Sequence, residues 1–166
     1  MKISSTILEK KLKLKFYDPK ILIKSLTHKS YDSLNNNEKI EFLGDRVLGL
    51  VIAKKLLEIY PDEREGILDK KFASLVNKRK CLEIAKKIEL QKYILVFNPK
   101  NKKIVIEDKV IADCLEALIG GIYLDKGINF VEIDLHAGDE IPDLTQFDGL
   151  WVMGGSMNVW EEDKYP

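Results

Sequence analysis

Acidic residues cluster in the segment 38–45, where Glu38, Glu41 and Asp45 follow one another at spacings of three and four residues. An α-helix turns by about 100° per residue, so these spacings place the three carboxylates on one face. Neighbouring carboxylates repel one another unless a cation lies between them. The pattern therefore favours a metal site, with solvated surface charge as the alternative in a chain in which 33% of the residues are charged.

A second acidic pair, Asp113 and Glu116, lies on one face of the last long predicted helix. If this helix packs antiparallel to the first, the pair can meet Glu41 and Asp45. Four carboxylates around one point make the oxygen-rich site that hard ions such as Mg²⁺ prefer. In a nuclease, ions held in this way activate a water and neutralise charge on the leaving oxygen.

Phe42 falls within the acidic face, where the core of the same chain cannot cover it. An aromatic side chain left there indicates a socket on another subunit. The opposite face of this helix is predicted to face the core. Its apolar residues are Ile40, Leu43, Val47, Leu50, Val51 and Leu57.

The elements that must position these residues are predicted to be helices. They span about 3–15, 19–30, 38–60, 63–77, 79–90 and 107–126. Asp18 and Pro19 are typical of a helix start, Pro61 ends the helix that carries the acidic face, and Gly127 is a C-cap after the last helix. The sequence thus predicts an all-α domain over residues 1–130.

The net charge of zero hides two halves of opposite sign. Residues 1–130 carry 26 Lys and Arg against 18 Asp and Glu, a net charge of +8, whereas residues 131–166 carry one Lys and nine acids, a net charge of −8. Strand-like periodicity also begins there, with buried strands expected at Val131–Leu135 and Gly149–Met153. We therefore expect a boundary near residue 130, and a polyanionic partner such as nucleic acid for the basic part.

The cysteine content and the length of the apolar runs indicate where the protein is located. The two cysteines, Cys81 and Cys114, are too few for a disulfide framework and fit a reducing cytosol. The longest apolar run, Ala117–Leu124, is too short to span a bilayer. We expect a cytoplasmic protein without a membrane partner.

Residue identities add to the argument from spacing. The segment Asn37–Asp45, Asn-Glu-Lys-Ile-Glu-Phe-Leu-Gly-Asp, closely resembles the signature of the ribonuclease III family. Four further segments agree with it in order and spacing: Leu26–Tyr31, Arg64–Gly66, Ala112–Gly120 and Tyr123–Gly127. The resemblance covers about residues 3–130.

The resemblance implies a ribonuclease III-type helical endonuclease domain that dimerises and hydrolyses double-stranded RNA to 5′-phosphate and 3′-hydroxyl ends in RNA processing. It implies Mg²⁺, with Mn²⁺ as an alternative cofactor, bound by Glu41, Asp45, Asp113 and Glu116. Asp45 and Glu116 would also be catalytic, as would two further acids of the catalytic valley, Glu38 and Glu65. Phe42 would plug a cavity of the partner subunit.

Other residues give weaker signals. Arg46 follows Asp45, but the helical wheel directs it away from the acidic face, so we do not expect it to disable the site. His28 and His136 could form an acid–base pair for metal-free cleavage, although a structural hydrogen bond is the better interpretation of His28. Cys81 and Cys114 fit buried small apolar residues, and Gly120-Gly121 fits close helix packing.

The segment from His136 to Met157 resembles a fragment of the class I glutamine amidotransferases. Gly154-Gly155 matches a loop of their oxyanion hole, but no nucleophile follows, and we predict no amidotransferase activity. We interpret residues 131–166 as a truncated segment, not an independent domain, that arose by fusion, truncation or gene assembly. Two alternatives to the nuclease remain: a catalytically silent double-stranded-RNA-binding protein of the same fold, and a chimeric chain with impaired activity.

Overall fold

Six α-helices and one 3-10 helix make up the regular structure of residues 5–98 and 105–127, the parts of the chain that the computed structural model describes. They are α1 (Ser5–Leu12), α2 (Pro19–Ser25), α3 (Glu38–Ile59), α4 (Glu65–Leu75), α5 (Lys78–Lys87), the 3-10 helix (Leu90–Lys92) and α6 (Asp108–Lys126). Within these ranges the only β-type pairing is a single parallel bridge between Thr27 and Leu95. The predicted all-α fold class is confirmed.

Helix α2 starts as predicted but ends earlier. The Asp18 side chain accepts a hydrogen bond from the Lys20 amide at 2.9 Å, and Pro19 is the first helical residue. The helix was expected to reach about residue 30 but ends at Ser25. It ends there because the next residues pair with another segment: the Leu95 amide donates to the Leu26 carbonyl at 2.8 Å, and the His28 amide donates to the Leu95 carbonyl at 2.9 Å.

Helix α3 buries only part of the predicted apolar face. Ile40 and Val47 are buried as predicted, and Leu43 and Val51 are partly buried against the core. Leu50 and Leu57, predicted to be core residues, are 61% and 60% exposed, so that part of the prediction is wrong. Leu48, Ile52 and Leu56, which were not predicted to be core residues, are also buried. These three residues follow Glu41 by 7, 11 and 15 positions, so the face that is acidic near the start of α3 continues as its apolar face. Glu41 therefore points toward the same neighbour as these core residues.

That neighbour is α6, which lies at the centre of the domain. Every residue from Ile111 to Gly121 is buried, and α6 packs against α2, α3 and α5. A Cβ atom added to Gly44 would lie 1.7 Å from the Glu116 carbonyl oxygen, and one added to Gly120 would lie 2.3 Å from the Ile40 carbonyl oxygen. The two helix backbones are thus in direct contact, which is possible only because both positions lack a side chain. The interpretation of Gly120 as a close-packing residue is confirmed.

The chain divides after Val131, and all described residues belong to the first unit, Met1–Val131. The strands predicted at Val131–Leu135 and Gly149–Met153, His136 and the amidotransferase-like segment lie outside the described residues. None of the described helices is long and apolar enough to cross a membrane.

Candidate metal centre

The contact between α3 and α6 brings three acidic side chains together. Glu41 from α3 and Asp113 and Glu116 from α6 each offer one carboxylate oxygen, and these oxygens lie within 4.8 Å of one another. Glu41 and Glu116 line a cleft of about 430 Å³ together with Glu38, Phe42, Asp45, Arg46, Lys78 and Lys109. Three of the four predicted ligands therefore converge at one point of an open cleft.

Burial makes this cluster electrostatically costly. Asp113 and Glu116 are only 8% and 4% exposed, and 26% of the Glu41 side chain is exposed. Burial, followed by the neighbouring charge of Asp113, raises the pKa of Glu41 above its ordinary value. Burial is also the largest cause that raises the pKa of Glu116. Both shifts show that the charged carboxylates are destabilised where they lie, and a bound cation would relieve this.

A lysine that the sequence argument did not single out supplies a cation to the cluster. Lys78, the first residue of α5, donates to Asp113 Oδ1 and, at 2.7 Å, to Glu116 Oε2, and its Nζ lies 3.6 Å from Glu41 Oε1. Burial alone would lower the pKa of Lys78, but the hydrogen bonds to Asp113 and Glu116 raise it above its ordinary value. The Lys78 ammonium thus contacts all three acids of the cluster.

Asp45, the fourth predicted ligand, is paired with a different cation. Its Oδ2 accepts a hydrogen bond from Arg46 Nη1 at 3.0 Å, and the Asp45 side chain is 48% exposed. The wheel placed Arg46 away from the acids, but the long side chain folds back across the helix. There it also donates to the Phe42 carbonyl at 3.1 Å and lies 3.8 Å from the centre of the Phe42 ring. Asp45 still faces the cleft, and its charge contributes to the raised pKa of Glu116.

The remaining predicted site residues lie farther out. Glu38 lines the cleft at the start of α3 and pairs with Lys29 at 2.9 Å. Glu65 is exposed in the first turn of α4 and does not line the cleft. Phe42 is 62% exposed, as expected of a side chain that its own core does not cover.

Sequence reasoning missed both lysines at the cluster, Lys78 and Lys109. Lys109 lies one turn before Asp113 on α6 and donates to its Oδ2 at 3.1 Å, so the i,i+4 spacing was a local signal that could have found it. Lys78 lies 35 residues from Asp113 along the chain. No local pattern connects the two.

The histidine and cysteines take the structural roles that were preferred for them. His28 Nδ1 lies 2.9 Å from Ser30 Oγ in a local turn. Cys81 and Cys114 are buried thiols, and burial raises the pKa of Cys81 to about 11. Neither thiol is an activated nucleophile.

These observations define a class of protein. It is an all-α domain in which carboxylates from two contacting helices meet at an open cleft. A model of the ribonuclease-III-like family matches residues 18–133. The chain belongs to the ribonuclease-III-like family.

Relatives and solved structures agree with this assignment. The chain is 83% identical over 132 residues to ribonuclease 3 of Pelagibacter ubique, an alignment that covers 80% of this chain and 60% of that protein. Two structures of the nuclease domain of ribonuclease III from Campylobacter jejuni are 38% and 39% identical to it, with TM-scores of 0.67 and 0.65. They cover 76% and 72% of this chain, which in turn covers 86% and 85% of theirs. The chain spans about three fifths of the length of the ribonuclease 3 proteins it matches.

Proposed function

We propose that this chain carries the nuclease domain of an endoribonuclease that hydrolyses double-stranded RNA with a divalent metal, leaving 5′-phosphate and 3′-hydroxyl ends, in cytoplasmic RNA processing. The observation that carries the proposal is the convergence of Glu41, Asp113 and Glu116 within 4.8 Å at a cleft of a ribonuclease-III-like fold. The two buried free thiols are compatible with a reducing compartment.

The donor set fits a hard divalent ion. All ligand atoms are carboxylate oxygens, they come from two helices fixed by backbone contact, and two of the three residues are buried. Mg²⁺ is the metal that suits such a site, with Mn²⁺ as a substitute. When bound, a metal of this kind supplies an activated water and neutralises charge at the scissile phosphodiester. Asp45 would join the ligands from the cleft side if it left Arg46, and Glu38 would remain at the entrance.

The surface around the cleft fits an RNA duplex. Lys29, Arg46, Lys78 and Lys109 lie around the acids, and residues 1–130 carry a net charge of +8. Cations around an acidic centre attract the phosphate backbone while the acids retain the metal. Because duplex RNA is recognised mainly by its shape, we expect little sequence preference. Because the binding relies on phosphate contacts, we expect it to depend strongly on salt.

The exposed apolar side chains of α3 support a homodimer. Phe42, Leu50 and Leu57 are 62%, 61% and 60% exposed, and their spacing places them along one side of the helix. A strip of large apolar residues on a long helix is typical of a surface that a partner covers. One of the Campylobacter jejuni nuclease-domain structures concerns structural flexibility in a region involved in dimer formation. We propose that a second copy of this chain covers the strip and that Phe42 plugs a cavity of the partner subunit.

One observation favours a second candidate function. Because Lys78 contacts all three acids, it could neutralise the cluster permanently, and the protein would then bind double-stranded RNA without cutting it. In the nuclease, the same three acids would bind the metal. The two candidates differ in whether RNA is cleaved when divalent ions are supplied.

The test is cleavage of long duplex RNA in Mg²⁺ by the unaltered chain, by Glu116→Gln and by the control Glu83→Gln, whose carboxylate pairs with Arg79 and Lys80 on the exposed side of α5. We expect Glu116→Gln to lose about a hundredfold or more in rate, equal to about 2.7 kcal/mol in the barrier, and Glu83→Gln to retain full activity. Equal rates for all three proteins would contradict the catalytic assignment. Duplex binding without cleavage by the unaltered chain would favour the silent RNA-binding protein.

A further inference from the structure

Lys78 lies at the centre of the prospective metal site. Its ammonium contacts Glu41, Asp113 and Glu116, the same three residues whose oxygens converge for a metal. A lysine that only attracted substrate would point to the outer rim of the cleft, as Lys29 does through Glu38. Lys78 instead lies among the prospective ligands.

The structure shows why Lys78 reaches this point. Asn77 caps α5 by accepting a hydrogen bond from the Lys80 amide at 3.0 Å, which fixes the first turn of the helix and with it the backbone of Lys78. Helix α5 packs on α6, the helix that carries Asp113 and Glu116. The side chain of Lys78 is nevertheless 53% exposed. Its ammonium can therefore move out into the cleft without any change in the packing of α5.

A lysine and a divalent ion cannot share these oxygens without cost. The ammonium neutralises one charge of a cluster of three carboxylates, whereas a divalent ion would neutralise two and would lie a few ångströms from the ammonium, where like charges repel strongly because water is partly excluded. Binding of the metal therefore requires either that Lys78 leaves or that the metal tolerates its charge.

We propose that Lys78 is a built-in counter-ion of the acidic cluster, which stabilises the metal-free domain and is displaced from Glu41, Asp113 and Glu116 when a divalent ion binds. This inference rests on the proposed function, because it takes the three acids to be the metal ligands. It adds that the metal affinity of the site is set by competition with a side chain of the same chain.

The experiment compares the unaltered 166-residue chain with Lys78→Met and with the control Lys80→Met, whose ammonium pairs at 2.9 Å with Glu83, outside the cluster. Titration calorimetry gives the dissociation constant of Mg²⁺ without any substrate, and thermal unfolding in a chelator gives the stability of the metal-free form. For Lys78→Met we expect Mg²⁺ to bind about tenfold more tightly, which equals about 1.4 kcal/mol. We also expect the metal-free form to melt several degrees lower, and Lys80→Met to change neither quantity.

A second measurement uses the unaltered chain and does not depend on how a variant folds. Acetylation by an amine-reactive ester, followed residue by residue with mass spectrometry, reports whether each ammonium is held in an ion pair. We expect Mg²⁺ to accelerate acetylation of Lys78 several-fold and to leave that of Lys80 unchanged.

The outcomes separate this inference from the proposed function. Mg²⁺ binding of equal strength in Lys78→Met and the unaltered chain, or acetylation of Lys78 that does not respond to Mg²⁺, would overturn the counter-ion while leaving the metal site intact. Absence of Mg²⁺ binding by all three proteins would overturn both. If Lys78→Met does not fold, the acetylation result decides.

Discussion

The two halves of the acidic site are built in different ways. On α6, Asp113 and Glu116 are 8% and 4% exposed and belong to a stretch of eleven consecutive buried residues. On α3, Asp45 is about half exposed and pairs with Arg46, whose guanidinium covers the exposed ring of Phe42. One half is fixed by the core, and the other half lies on the surface and is neutralised by a neighbour.

The difference shows how a costly charge cluster can coexist with a stable fold. Burying carboxylates is unfavourable unless a cation accompanies them, and here Lys78 supplies that cation to the buried half. The exposed half needs no buried counter-ion, because water solvates Asp45 and Arg46 pairs with it at the surface. Asp113 and Glu116 are therefore held in place by the core, whereas the side chains of Asp45 and Phe42 are accessible to solvent.

The largest effect is expected for Gly44→Ala, which disrupts the backbone contact between α3 and α6 on which the buried half depends. The new Cβ would lie 1.7 Å from the Glu116 carbonyl oxygen, a backbone atom that cannot move aside. We expect a loss of about 3 kcal/mol or more in the free energy of unfolding, or about 10 °C in melting temperature. Gly49→Ala is the matched control on the same helix, because its Cβ would lie at an ordinary 3.5 Å from the flexible Phe72 ring. Equal melting temperatures for the two variants would show that the α3–α6 contact is looser than described.

The next test uses pH to measure the electrostatic cost at Glu41, the α3 acid that meets the buried pair Asp113 and Glu116. Burial and Asp113 raise the pKa of Glu41 in the folded chain, so its contribution to stability is fully present below the ordinary value of 4.5 and is lost as the pH rises through the raised value. Glu41→Gln removes this loss. In a chelator, the melting temperature of the variant relative to the unaltered chain should therefore increase from pH 4 to pH 8. A difference that stays flat or falls with pH would contradict the cost assigned to Glu41.

A smaller effect is expected at the exposed half. Arg46→Gln frees Asp45 from a partly exposed ion pair of 3.0 Å, and such pairs are worth up to about 1 kcal/mol. We expect the dissociation constant of Mg²⁺ to fall about two- to fivefold if Asp45 then joins the ligands. Arg79→Gln removes a comparable exposed pair with Glu83 on α5 and serves as the control. An unchanged affinity in Arg46→Gln would place Asp45 outside the metal site.

The smallest effect is expected at Glu89, a partly exposed carboxylate outside the cluster, whose pKa is shifted in the opposite direction. Hydrogen bonds from Lys11 and Lys92 lower the pKa of Glu89 to about 2. Its contribution to stability is therefore present above the ordinary pKa of 4.5 and is lost as the pH falls toward 2. Glu89→Gln should melt slightly lower than the unaltered chain at pH 7, and the difference should vanish in acid. A difference that persists at pH 2 would assign the effect to packing instead.

Much of the fold could be predicted from the sequence because its determinants are local. Asp18 and Pro19 start α2, Pro61 follows the end of α3, and Gly127 caps α6 with a positive φ of 74°. The early end of α2 could not be predicted, because it depends on pairing with Leu95, nearly seventy residues away. The exposure of Leu50 and Leu57 was missed for a related reason: α3 is apolar on more than one side, and only its packing on α6 decides which side is buried.

The candidate site divides in the same way. The spacing of Glu41 from its acidic neighbours on α3, and that of Asp113 from Glu116 on α6, indicated residues that would converge. Each spacing could be read from the sequence because it is a property of one helix. Lys78 was not predictable, since its place in the cluster depends on how α5 packs on α6. The pairing of Arg46 with Asp45 was not predictable either, because a helical wheel gives the direction of Cβ and not the reach of a long side chain.

The most direct test of the central claim is anomalous diffraction from crystals of the chain grown with Mn²⁺. We predict one strong peak within coordination distance of Glu41, Asp113 and Glu116, with the Lys78 ammonium moved away from all three carboxylates. An ordered Lys78 still bonded to Asp113 and Glu116, with no manganese between the helices at saturating concentration, would contradict the account.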